Sequence, residues 1–141
     1  MKVLISVLFL LLLGCEGTHN LGKSGCLPLK VPADLSLLRE SGLYTIGNDP
    51  SLVLYAHPRD TRYDEFSTLK FVTLVAPGTL LKVGSLKQRW GFDSGLGRIS
   101  AFGTTPTGEA FEYVWGVGTQ ISRAPWEHAS VPRMRTVHCD Q

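Results

Sequence analysis

From residue 43 onward the chain is cut into short apolar, β-branched and aromatic runs by proline, glycine and asparagine, and this punctuation constrains its fold most. Asn48-Asp49-Pro50, Ala76-Pro77-Gly78-Thr79 and Thr105-Pro106-Thr107-Gly108 supply the backbone dihedrals that turns require. Runs of this length between such breaks form strands. Strands are expected at residues 43–46, 52–56, 68–75, 80–83, 99–102 and 110–117, with 136–138 as the candidate for a seventh. Six or seven short strands in ~100 residues define an all-β fold, a small barrel or a sandwich. One short helix is the only expected departure. Asp34 can cap it, Leu35, Leu37 and Leu38 lie along it, and Gly42 ends it; a strand is the alternative there. Two helical turns are not stable alone, so the segment must pack on something else.

Two of these strands carry more information than the rest. In 110–117, Phe111, Tyr113, Trp115 and Val117 share one face, against Ala110, Glu112, Val114 and Gly116 on the other. That is a half-buried strand with an aromatic core face. In 68–75, Leu69, Phe71 and Val75 face one way while Val72 and Leu74 are apolar on the other, which predicts a central position. The nine residues Val75-Ala76-Pro77-Gly78-Thr79-Leu80-Leu81-Lys82-Val83 resemble the strand–turn–strand of small bacterial SH3-like barrels. The tryptophan found further on in those barrels has no counterpart here, and the resemblance implies a fold but no ligand.

The N-terminus has a different character. Lys2 supplies one positive charge, and the 11 residues from Val3 to Leu13 are apolar except for Ser6. This matches the apolar region of a signal peptide, well short of the ~20 residues that cross a bilayer. Leu12-Leu13-Gly14-Cys15 resembles the lipobox of bacterial lipoproteins, with a small residue before the cysteine that takes the lipid. The resemblance implies removal of residues 1–14 and lipid attachment at Cys15. The alternative is ordinary cleavage after Gly17, which leaves a secreted protein. Glu16 stands where an aspartate commonly retains lipoproteins at the inner membrane, so the resemblance favours the outer membrane, facing the periplasm. Residues 15–25 are polar with three glycines and are expected to be a flexible tether, spanning at most about 33–36 Å. Residues 26–141 are then a single β-rich domain.

Three cysteines are an awkward number for an exported chain, and either cleavage model removes Cys15 from the count. Cys26 and Cys139 remain near the two ends of the domain, and in an oxidising compartment such a pair forms a disulfide. Two unrelated thiols are the alternative; a metal site is disfavoured because neither belongs to a C-x-x-C pair. Of 141 residues, loss of the first 14 leaves 127, and loss of Lys2 lowers the formal net charge from +2 to +1. Charges of both signs are mixed along the chain. Nucleic-acid binding, which calls for a concentrated basic face, is not expected.

No catalytic motif is present. Gly-x-Ser-x-Gly is absent, no helix pattern follows the glycine-rich 91–97 segment, and Glu109 and Glu112 do not read as a paired acid and base. The segment 91–97 is expected to be a hairpin loop. No cofactor or metal is expected. The most polar stretch runs from His57 to Glu65, with Arg59, Asp60, Arg62, Tyr63 and Asp64. A metal or acid–base cluster of His57, Asp60 and Asp64 is one reading, and a solvated loop is the plainer one. Arginine and tyrosine anchor many interfaces, and loops on β scaffolds often carry recognition. Arg59, Arg62 and Tyr63 are therefore the first partner-binding candidates. Trp90 and Trp126, at expected strand ends, are the second pair, as a platform for a partner or as caps on the core. The expected function is that of a non-catalytic envelope lipoprotein, held to the membrane by its lipid, whose β domain binds a protein of the same compartment. An inhibitor or immunity protein that blocks an enzyme such as a lysozyme is the alternative, and an enzyme with a site near His57 the third.

Overall fold

The computed structural model describes residues 15–57 and 68–139, and their regular structure is entirely β. In chain order the strands are β1 (Glu16–Asn20), β2 (Ala33–Ser36), β3 (Ser41–Ile46), β4 (Asp49–Ala56) and β5 (Leu69–Val75). They are followed by β6 (Leu80–Gly91), β7 (Gly95–Thr104), β8 (Ala110–Val117), β9 (Gln120–Ser122) and β10 (Met134–Thr136). All ten belong to one sheet ordered β1-β6-β7-β8-β4-β3-β5, with β2 also on β6 and the β9–β10 pair branching from β8.

The sheet is mixed and not closed into a barrel, nor is it divided into two as a sandwich would be. The reason lies in β8, which is shared between two neighbours on one side. Its first half pairs in parallel with β4 through Leu52↔Phe111 and Val53↔Glu112, and its end pairs antiparallel with β9. The ladder therefore splits at β8 instead of returning to its start. Strand β6, with 12 residues, organises the other side. Strand β2 covers its first part through Ala33↔Val83 to Ser36↔Leu80, and β1 covers its last part through Asn20↔Lys87 to Glu16↔Gly91.

Those two short strands correct two expectations. The helix expected after Asp34 is β2, in which Ala33 and Leu35 are half-buried while Asp34 and Ser36 point outward. A row of unpaired N–H and C=O groups on β6 is satisfied by a strand and not by a helix. The expected tether of 15–25 is occupied by β1 from its second residue, and Leu21, within the same segment, is buried in the core. Polar composition concealed this strand, because its pairing partner lies some 70 residues away in sequence.

The core lies between the inner faces of these strands. It gathers Leu81, Val83 and Leu86 of β6, Ile99 and Ala101 of β7, Leu43 of β3, Leu54 of β4 and Val75. The aromatic face of β8 is core as expected: Phe111, Tyr113 and Trp115 are 3%, 8% and 1% exposed. Val117, expected on that face, lies beyond the core and is exposed. The hairpin expected at 91–97 is present but tighter: β6 runs to Gly91 and β7 begins at Gly95, whose φ of +67° is a backbone conformation that favours glycine. Cys26 and Cys139 are joined as a disulfide, with their Cα atoms 5.0 Å apart.

Candidate functional site

Strand β5 is not central. Among the described residues it pairs with β3 alone and forms one end of the sheet. A register shift between Leu43 and Tyr44 opposite β5 leaves Val72 as the extra residue of a bulge. Phe71, Val72 and Leu74 are 51%, 50% and 46% exposed, so the middle of the strand turns apolar side chains to solvent on both faces, while Val75 at its end is buried in the core. Of the residues from Lys70 to Leu74, only Lys70 carries a charge. Protein edges are ordinarily protected by charges, prolines or covering elements, and an apolar edge over which the described residues place no covering element is a ready template for another strand.

A cluster of rings stands on the outer face beside this edge. Tyr44 is opposite Val53 on β4 and Phe71 on β5, and both Tyr44 and Val53 are buried although neither belongs to the main core. The Tyr44 ring meets Tyr55 edge-on at 5.9 Å and Phe71 edge-on at 5.6 Å. His57 lies 4.8 Å from Phe71 and shares a 3.0 Å hydrogen bond between Nδ1 and the Tyr44 hydroxyl. Gly42 makes this possible. A Cβ there would come within 2.9 Å of the Tyr44 ring and 3.2 Å of the Phe71 ring. The cluster is a small second core on the outside of the sheet, which holds the end of β4 against the edge strand.

The expected site residues separate into three groups. Arg59, Arg62 and Tyr63, with Asp60 and Asp64, lie outside the described residues; the cluster just described holds His57, where the chain leaves for that segment. Trp90 continues the inward row of Leu86 and Gln88 on β6, half-buried, with its indole across Gly17 and stacked on His19 at 5.5 Å. Trp126 packs edge-on against both Tyr113 and Trp115, at 4.9 and 5.6 Å, and forms part of the core. The two tryptophans thus do not form one platform. Cys15 is exposed, and its carbonyl accepts a hydrogen bond from the Phe92 N–H at 3.0 Å.

Glu109 and Glu112 both have structural partners. Glu109 accepts hydrogen bonds from the Thr105 and Thr107 hydroxyls, which hold its carboxyl below the usual range and pin the β7–β8 turn. Glu112 accepts from Ser100 at 2.5 Å and pairs with Arg98 at 3.8 Å. Among the described residues no three His, Cys, Asp or Glu side chains gather where a metal ion could sit. Tyr44, Tyr55, Phe71 and Val72 are not among the residues expected from the sequence to bind a partner. The signal was present in the doubly apolar 68–75 segment, which was assigned to the middle of the sheet. No protein-family model, curated protein or solved structure matches the chain.

Proposed function

We propose that this protein is a lipid-anchored, non-catalytic component of a bacterial envelope that binds a partner protein by adding one of the partner's extended segments to the edge of β5. The observation that carries this reading is the exposed apolar edge itself: Phe71, Val72 and Leu74 are about half exposed on a strand with a neighbour on one side only among the described residues. Strand addition uses main-chain hydrogen bonds for affinity and side-chain pockets for selection. The rings of Tyr44, Tyr55, His57 and Phe71 supply an apolar wall with polar tips on one face of that edge. The partner segment is expected to alternate apolar and polar residues, with aromatic or branched side chains facing the cluster. The anchor part of the reading rests on the lipobox-like Leu12-Leu13-Gly14-Cys15, and the compartment is consistent with the Cys26–Cys139 disulfide.

Selection of a displayed peptide library on the purified mature protein tests the reading. Alternating apolar sequences should be enriched, and V72K/L74K should weaken the selected peptides at least tenfold with little loss of stability. N-methylation of alternate peptide bonds should abolish binding while leaving every side chain in place. Peptides that bind V72K/L74K as well as the native protein would refute β5 as the site. A concentration-dependent dimer lost in V72K/L74K would assign the edge to a second copy of the chain.

A further inference from the structure

Outside β5, Leu38, Ile46, Leu80 and Met134 are exposed singly, whereas three further exposed apolar residues gather in one place. Phe92, at the β6–β7 turn, is 83% exposed, Leu96 just beyond it is 38% exposed, and Val117 at the end of β8 is 61% exposed. The three come to one end of the sheet, because Trp90 pairs with Leu96, Arg98 with Val117, and the Gly118 N–H donates to the Gly97 carbonyl at 2.9 Å. Trp90 and His19 border the same end, with Leu96 beside them in one shallow apolar depression. Cys15 is at this end too. Its carbonyl is bonded to the Phe92 amide, and the next residue, Glu16, already pairs with Gly91 in the sheet.

We propose that this end of the sheet rests on the bilayer surface, with Phe92 at the level of the lipid headgroups and upper acyl chains. The proposal rests on the reading of Cys15 as the lipid-bearing residue. A lipid on Cys15 places its sulfur at the interface, and no slack chain separates that residue from β1. Phe92 is therefore fixed next to the anchor. Aromatic side chains favour the interface, tryptophan most of all, and apolar surface there leaves water without a partner protein. The nearby charges are of both signs and form no block: Arg89 and Glu16 lie 3.7 Å apart, Arg98 pairs with Glu112, and the exposed Asp93 beside Phe92 can turn its carboxylate to water while the ring enters the headgroups. The same arrangement sets the orientation of the molecule. Strand β6 runs away from the membrane for roughly 35 Å, so the domain stands on its β6–β7 end rather than hanging from a loose chain.

Two single tryptophan additions at exposed positions test this without disturbing the core. F92W places a reporter at the proposed contact, and L80W places one at the opposite end of β6, where Leu80 is 60% exposed. Each mature lipidated protein is reconstituted into vesicles of phosphatidylethanolamine and phosphatidylglycerol, three to one, with plain or brominated acyl chains. The emission added by F92W is expected to fall severalfold with brominated lipid, and that added by L80W to remain unchanged. Intact mass, read in parallel, reports the acyl adduct at Cys15. An acylated protein whose F92W emission ignores the bromines, or whose two reporters are quenched alike, overturns the seated orientation and leaves the anchor intact. A mature chain without the adduct overturns both.

Discussion

Trp126 lies edge-on to Tyr113 and Trp115, and the three rings form the most heavily aromatic part of the core. Trp115 is fixed on both sides by polar bonds. Its indole N–H donates to the Ser122 carbonyl at 2.8 Å, while the Ser122 hydroxyl donates to the Trp115 carbonyl at 3.0 Å. The ring is thus held between β8 and β9, and a tryptophan two places into a loop-like Ala-Pro-Trp can close over it. Tyr113 sits in the same cluster with its phenol almost out of water. Burial pushes its pKa above the ordinary value, with the Ser122 hydroxyl and Arg39 pulling the other way. A group whose pKa is raised on folding contributes stability in full below its unfolded value, about 10 for a phenol, and loses it as pH rises through the folded value. Tyr113→Phe cannot ionise. Denaturant midpoints measured at neutral pH and above pH 10 should therefore fall more steeply for the native protein than for the variant. Equal alkaline losses in the two would show that the phenol is not buried as described.

At the scale of strands, what could be read in advance was local alternation, and what could not was neighbourhood. Phe111, Tyr113 and Trp115 repeat with period two, and any strand with one buried face must place them together, so the core face of β8 followed from the sequence. The doubly apolar 68–75 segment has two physical explanations, a strand between two others or an edge awaiting a partner. Only the strand order decides between them: it runs from β8 through β4 and β3 to β5 and leaves β5 outermost among the described residues. Strand β1 was hidden for the complementary reason: Glu16-Gly-Thr-His-Asn has no apolar pattern, and it is a strand because β6 extends past β2 and needs its amides paired. The candidate site was therefore half legible. Its residues were visible as an apolar segment, but their exposure was not. The difference in position has a dynamic consequence. Strand β7 is paired along both edges by β6 and β8, whereas β5 has β3 alone among the described residues. Amide hydrogen exchange should find Lys70–Leu74 opening at much lower free energy than Ile99–Phe102, which should open only with global unfolding. Equal protection of the two segments would mean that β5 is covered, and strand addition there would lose its basis.

The molecule as a whole is a branched sheet in which one disulfide joins the segment after β1 to the segment after β10. Cys26 follows Leu21 into the core region, and Cys139 follows Val137, which is 8% exposed and donates its N–H to the Thr119 carbonyl at 2.8 Å. The bridge spans a sequence separation of 113 residues and so encloses nearly the entire domain. In the chain-entropy account, closing a loop of that length restricts the unfolded chain by about 4–5 kcal/mol, a large part of the 5–15 kcal/mol typical of a whole domain. A cross-link that acts through the unfolded state raises the free energy of global opening, whichever strand reports it. One that acts as a local clamp protects only the strands beside it, here β1 and β10. Reduction of the native protein, or C26A/C139A, separates the two. Urea unfolding should lose about 4–5 kcal/mol, and hydrogen exchange in β7 and β8, remote from the sulfurs in sequence, should accelerate by the same free energy. Loss of protection confined to β1 and β10, with the core strands unchanged, would show instead that the disulfide pins the ends to a sheet already stable without it.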